Sequence, residues 1–215
     1  MYKAILFDLD GTLTDSGEGI TRSVQYALEK IGKPEPDRQK LSIFVGPPLL
    51  EQFQKYAGID EETARKAVEY YRERYAPVGI YENELYPGIL EMLAGLKARG
   101  YRLGVASSKP ENFVNKVLEY FHMEAYFEEI VGSKPEGGRT DKTAVIEEAL
   151  LRMGMEQHKE QVIMVGDKEH DVIGARQAGL DCIAVSYGYG TMEELENARP
   201  FKIVNSPEEL LDFFV

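Results

Sequence analysis

From Pro87 to the end of the chain, short apolar runs alternate with segments whose apolar residues recur every three or four positions. No other feature restricts the fold as strongly. Residues 101–106, 130–131, 162–165, 182–185 and 201–204 read as strands. The stretch carrying Ile89, Leu93 and Leu96, and residues 113–120, 141–153 and 171–178, read as helices, with Leu210 and Leu211 continuing the alternation. Residues 3–7 add one more apolar run, ending at Asp8. Strands that alternate with helices imply a mainly parallel sheet covered on both faces, an α/β fold of Rossmann-like type. Right-handed crossovers then put the loops that follow the strands along one edge. Such sheets bind ligands at that edge.

Residues 14–85 have a different texture and show no convincing strand. Ile20, Val24, Leu28 and Ile31 keep helical spacing until Gly32 and Pro34 stop it. Leu49, Leu50 and Phe53 begin a second helix, which ends near Ala57-Gly58. Asp60 is placed to cap a third, carrying Ala64, Ala67, Val68, Tyr71 and Tyr75 before Pro77. The expected organisation is an α/β core of residues 1–13 and 86–215 with a small all-helical insert at 14–85. Within the core, Glu136-Gly137-Gly138-Arg139 is the expected mobile loop, because paired glycines restrain the backbone least.

The formal net charge of -12 disfavours a nucleic acid polymer or an anionic membrane as partner. No apolar run approaches the roughly twenty residues that span a bilayer. The run after Met1 is too short for a secretory leader, and the lone Cys182 suits a reducing compartment. These features give the expectation of a cytoplasmic protein, monomeric or a weak homodimer, acting on a small molecule.

Four clusters of reactive residues fall at predicted strand ends. The first is Asp8-Leu9-Asp10-Gly11-Thr12. Acids one residue apart leaving a strand point to the same side. A carboxylate can accept a phosphoryl group, and a second can move the proton. The second cluster is Ser107-Ser108-Lys109, whose hydroxyl and backbone N–H groups would cradle a phosphate on entering a helix. The third is Lys142 after Thr140-Asp141, a cation to offset phosphate charge, with Lys134 as a rival. The fourth is Gly166-Asp167-Lys168-Glu169-His170-Asp171. Its Asp167 and Asp171 lie four apart at a strand-to-helix turn. Asp8 and Asp167 supply the one or two carboxylates that magnesium prefers, whereas His170 does not suit that ion. Each cluster has an ordinary explanation as a turn or helix cap. Capping does not require all four along one edge.

In this order the residues resemble the phosphatases of the haloacid dehalogenase superfamily. The resemblance covers the whole chain, including a helical insert like that superfamily's α-helical C1 cap. It implies that Asp8 is the nucleophile and Asp10 the general acid and base, and that Ser107, Ser108 and Lys142 hold the phosphate. It further implies that Mg2+ is bound by Asp8, the Asp10 carbonyl and Asp167, with Asp171 supporting its waters. Lys142 is preferred to Lys134 because its spacing to Gly166-Asp167 resembles the superfamily's. The usual proline after that lysine is absent, since Thr143 follows Lys142 while Pro135 follows Lys134. Val45-Gly46-Pro47-Pro48-Leu49 and Tyr187-Gly188-Tyr189-Gly190 look most like the 5'-nucleotidase-like group, with phosphoglycolate-phosphatase-like enzymes close by. The implied activity is hydrolysis of a small phosphorylated metabolite, leaning to nucleoside 5'-monophosphates. Phosphoglycolate phosphatase, pyrophosphatase, phosphosugar mutase and, in another class, a receiver-like signalling domain are the alternatives. Arg22 and residues 46–49 are candidates for substrate contact from the helical insert.

Overall fold

A computed structural model describes residues 1–134 and 138–214. It divides into two compact units, Met1–Thr14 with Leu85–Val215, and Asp15–Glu84. The first unit starts with β1 (Ala4–Phe7), and the two-residue β2 (Thr14–Asp15) leads out of it. The second contains α1 (Gly17–Lys30), α2 (Leu49–Ala57) and α3 (Glu61–Tyr75). The chain returns through β3 (Glu84–Leu85), followed by α4 (Ile89–Ala98), β4 (Arg102–Pro110), α5 (Glu111–Tyr120) and β5 (Glu129–Ser133). Next come α6 (Lys142–Arg152), β6 (Val162–Gly166), α7 (Glu169–Ala178) and β7 (Asp181–Val185). The unit closes with α8 (Met192–Ala198), β8 (Lys202–Val204) and α9 (Pro207–Phe213).

The α/β unit holds one sheet in the order β5-β4-β1-β6-β7-β8, with every pair parallel. The first strand is central, and the chain winds to one side of it and then the other. Ala4 and Leu6 of β1 join Val145, Ile146, Ala149 and Val172 in one buried cluster, so α6 and α7 cover that face. Ile5 and Phe7 point the other way and are equally buried, Phe7 meeting Phe127 edge-on at 6.4 Å. A strand buried on both faces cannot alternate apolar with polar, which explains the unbroken Ala-Ile-Leu-Phe run.

The helical unit packs around an apolar stripe of α1, namely Ile20, Val24, Ala27 and Leu28. Tyr71 and Tyr75 of α3 are buried and stacked on each other at 5.1 Å, which makes them core. A Cβ on Gly19 would lie 1.8 Å from the Gly79 carbonyl oxygen, so only glycine allows α1 to approach that turn. Asp60 caps α3 by accepting from the Thr63 N–H at 2.8 Å. Arg22 is tied to Glu18 at 2.6 Å and to Glu82 at 3.1 Å. Among residues 46–49, Gly46 takes a positive φ of 99°.

Two local expectations need correction, and one short element was not expected at all. The stretch 14–85 has strands at its two ends, where β2 and β3 form a two-stranded ribbon. Two-residue strands are too short to show a period in sequence. Arg38–Phe44 forms a 3-10 helix started by Asp37, which accepts from the Gln39 N–H at 3.1 Å. The fourth strand runs to Pro110, beyond the expected stop at 106. Of the expected mobile loop, Glu136 and Gly137 lie outside the described residues. Arg139 is ion-paired to Glu111 and Glu148. Among the described residues no helix is long and apolar enough to cross a membrane.

Candidate active site

Register alone brings the reactive residues together. Phe7 pairs with Val105 of β4 on one side and Val165 of β6 on the other. The next residues along these strands are Asp8, Ala106-Ser107 and Gly166-Asp167. Asp8 continues the ladder by donating its N–H to the Val165 carbonyl at 2.9 Å. The four clusters thus open on the carboxyl edge at the central strand, where the winding direction reverses.

Lys142 opens α6, whose N-cap Asp141 accepts from the Ala144 N–H at 2.9 Å. The Lys142 side chain is buried, with Nζ 2.9 Å from Asp8 Oδ1 and 2.8 Å from Asp171 Oδ1. It also donates to the Ala106 carbonyl at 3.0 Å. Its stem crosses Gly174 of α7, where a Cβ would come within 2.7 Å of Lys142 Cγ. Lys134, by contrast, is exposed and bridges through its backbone to Arg139. Asp171 is both a cap and a site residue, because its Oδ2 accepts from the Lys168 N–H at 3.0 Å.

Asp167 is only 1 % exposed. Its Oδ1 accepts from Thr12 Oγ1 at 3.3 Å and its Oδ2 from the Tyr189 N–H at 2.8 Å. Glycines surround it. A Cβ on Gly188 would fall 2.3 Å from the Gly11 carbonyl oxygen and 2.4 Å from Asp167 Cβ. A Cβ on Gly11, whose φ is +85°, would meet Asp167 Oδ2 at 2.2 Å. Tyr187 closes this packing by donating its hydroxyl to the Thr12 carbonyl at 3.0 Å.

Asp10 does not share the lysine of Asp8. It has its own, Lys109, with Nζ 2.5 Å from Asp10 Oδ2, and both side chains are buried. The expectation of a helix entry at Ser107–Lys109 is not met. These residues lie in β4, where the pairing with β5 shifts register between Ala106 and Pro110, and α5 starts only at Glu111. Ser107 is 1 % exposed and its Oγ accepts from the Lys109 N–H at 3.4 Å, while Ser108 is half-buried. The shift in pairing sets off Lys109 from the regular ladder.

The electrostatics are unbalanced. Asp8, Asp167 and Asp171 offer ligand oxygens that all lie within 4.8 Å of one another. Among the described residues the cation ion-paired to this group is Lys142, through Asp8 and Asp171. Burial pushes the Asp8 carboxyl up to about 6, against the pull of Lys142 and with the help of Asp171. Burial likewise raises Asp167 well above the usual carboxylate range, and Asp171 and Asp8 add to the effect. Burial would lower Lys142, but Asp171 and Asp8 outweigh it and keep the ammonium charged. Three buried carboxylates around one ammonium leave excess negative charge in a low-dielectric place. An all-oxygen donor set fits a hard divalent cation such as magnesium. His170 stands apart, exposed beside Glu169 and Glu194.

Sequence reasoning gave no role to Lys109, Thr12, Gly188 or the Tyr189 backbone. Lys109 carried a signal, since it closes the serine cluster, whereas a backbone N–H reaching Asp167 from a distant loop carries none.

The chain is similar to known proteins in both sequence and fold. The family profile described as haloacid dehalogenase-like hydrolase matches residues 5–185. A 5'-nucleotidase of Pseudomonas aeruginosa is 46 % identical over 199 residues, covering 93 % of this chain and 89 % of that one. The tyrosine-protein kinase PtkA of Mycobacterium tuberculosis is 40 % identical, covering 89 % of this chain but 65 % of its own length. A crystal structure of a predicted phosphatase from Clostridium acetobutylicum superposes with a TM-score of 0.95 at 46 % identity, covering 99 % of this chain and 98 % of that one.

Proposed function

The chain belongs to the haloacid dehalogenase-like hydrolases and is a phosphatase of that family, and from this premise we propose that it hydrolyses nucleoside 5'-monophosphates through an aspartyl-phosphate on Asp8. The observation that carries the reading is the buried group of Asp8, Asp167 and Asp171 around Lys142, with Asp10 two residues from the nucleophile. The lean to nucleotides rests on the 5'-nucleotidase relative.

Asp8 attacks the phosphorus in line with the departing ester oxygen. Asp10 protonates that oxygen as the bond breaks, then takes a proton from the water that cleaves the aspartyl-phosphate. Lys142 stands beside Asp8 and meets charge on the equatorial phosphate oxygens. Ser107 and Ser108 supply hydroxyls at the adjacent strand end. Magnesium would be held by Asp8, the Asp10 carbonyl and Asp167, with Asp171 nearby, and when bound it draws off phosphate charge. Thr12 and the Tyr189 N–H keep Asp167 oriented for that ion. The helical residues 14–85 act as the substrate-selecting insert.

The test is phosphate release from a panel of nucleoside monophosphates, phosphoglycolate, pyrophosphate and sugar phosphates, with and without magnesium. Highest kcat/KM on nucleoside monophosphates, abolished in Asp8→Asn, is the expected result. A preference for phosphoglycolate or pyrophosphate keeps the chemistry and overturns the substrate. Activity undiminished in Asp8→Asn overturns the covalent step. Return of a phosphorylated isomer in place of free phosphate turns the reading to a mutase.

A further inference from the structure

Two lysines are buried in the site, and Lys142 has its place beside Asp8 and Asp171. Lys109 has a different partner. Its Nζ sits 2.5 Å from Asp10 Oδ2, with the two side chains only 5 % and 7 % exposed. The other oxygen, Asp10 Oδ1, is buried and has no hydrogen-bond partner among the described residues. A buried polar atom without a partner is uncommon and calls for an explanation. The carboxylate is therefore asymmetric, with one oxygen fixed by an ammonium and the other open to a reaction partner. The local backbone is arranged for this, because Lys109 lies where β4 departs from regular pairing with β5.

We propose that Lys109 is a positioning residue that fixes Asp10 through Oδ2, so that Oδ1 is the oxygen that carries the proton to the leaving group. The inference rests on the reading of Asp10 as the general acid. In the transfer step the O–H bond at Oδ1 breaks, and the proton goes to the ester oxygen as its bond to phosphorus breaks. The electron pair stays on Asp10 as carboxylate charge, which the Lys109 ammonium stabilises. In the second step the same oxygen takes a proton from water as the hydroxyl adds to phosphorus and the bond from phosphorus to the Asp8 oxygen breaks, its electron pair returning to the Asp8 carboxylate. Lys109 thus acts through Asp10 and touches neither phosphorus nor the ester oxygen.

The water step is common to every substrate, but kcat/KM reports the first transfer, and there a residue with this role acts on substrates whose leaving group needs a proton. An alkyl phosphate leaves as a basic alkoxide and requires one, whereas p-nitrophenyl phosphate leaves as a weakly basic phenolate and does not. The experiment measures kcat/KM for both esters in the full-length, magnesium-loaded enzyme, Asp10→Asn and Lys109→Met. Lys109→Met should lose about 100-fold on the alkyl ester and less than about tenfold on p-nitrophenyl phosphate, a selectivity shared by Asp10→Asn. Because methionine leaves a buried carboxylate unpaired, Lys109→Gln is the second variant. Its amide still donates to Oδ2, so it should recover part of the alkyl-ester activity.

Equal losses on both esters in Lys109→Met and Lys109→Gln, with Asp10→Asn still selective, overturn the inference and leave the function standing. A raised KM for both esters does the same, since it marks Lys109 as a phosphate ligand. Loss of selectivity in Asp10→Asn itself overturns the acid reading and the inference with it.

Discussion

The two units handle charge in opposite ways. In the helical unit every ionised side chain reaches solvent, and the best-formed ion pairs stand at its surface. Arg22 and Glu18 are each 45 % exposed in their pair, and Arg74 meets Glu82 at 2.8 Å with both 21 % exposed. In the α/β unit six charged side chains, Asp8, Asp10, Lys109, Lys142, Asp167 and Asp171, are none of them more than 8 % exposed. Surface pairs of the first kind contribute about 0–1 kcal/mol each. A buried set with more anions than cations opposes folding until something positive joins it. Surface ion pairing accounts for the charges of one unit, and the proposed binding of a cation and a phosphate would account for those of the other.

The largest effect should come from removing the proposed nucleophile. Asp8→Asn is expected to lower turnover by at least about 10³-fold, measured as phosphate release. In metal-free protein the same change should raise the melting temperature, because it removes a buried negative charge. A fall in melting temperature would break the contrast between the units. Adding magnesium at about a hundredfold its Kd should stabilise the wild type by about 2.7 kcal/mol in a thermal melt. Asp167→Asn should lose most of that gain, and a melt insensitive to magnesium in the wild type would remove the cation from the account.

Acidity offers a sharper view of the same imbalance. With Asp8 pushed by burial up to about 6 from its ordinary 3.8, the folded state binds the proton more tightly than the unfolded one. The Asp8 contribution to metal-free stability should therefore be greatest below the unfolded value and fall as pH rises through about 6. Denaturant melts across that window, repeated on Asp8→Asn, would show the slope flatten. Gly188→Ala should cost on the order of 2 kcal/mol and lower kcat, because its Cβ would crowd Asp167 and the Gly11 carbonyl. The smallest effect belongs to the helical unit. Glu82→Gln should cost about 1 kcal/mol or less. The hydrogen bonds from Arg74 hold Glu82 below its usual value, so this contribution is present above that value and fades in acid. The sign is thus opposite to that of Asp8.

Much of this was legible in the sequence, for a physical reason. Strands buried on both faces write themselves as apolar runs, and acids placed directly after such runs have one edge to occupy. Asp8, Asp167 and Asp171 could be read in that way, and Lys142 could be read from its place at a helix start. What escaped depends on departures from regularity. The pairing of Lys109 with Asp10 arises from a register shift within β4, and no period records a shift. The 3-10 helix at Arg38–Phe44 and the ribbon of β2 with β3 are too short or too irregular for periodicity. The hold of Tyr189 on Asp167 uses a backbone N–H, which every residue but proline owns.

That ribbon has an evolutionary consequence. Where β2 pairs with β3, the chain that leaves the sheet and the chain that returns to it are already side by side. Closing a loop costs entropy that grows only slowly with its length, and here the ends are stapled regardless of what lies between. The buried acids Asp8 and Asp167 follow strands whose register makes no reference to the insert. A lineage could therefore trade the helical unit for a longer, shorter or differently folded one and keep the reactive edge intact. Substrate choice and bond-breaking chemistry would then be free to evolve at separate rates.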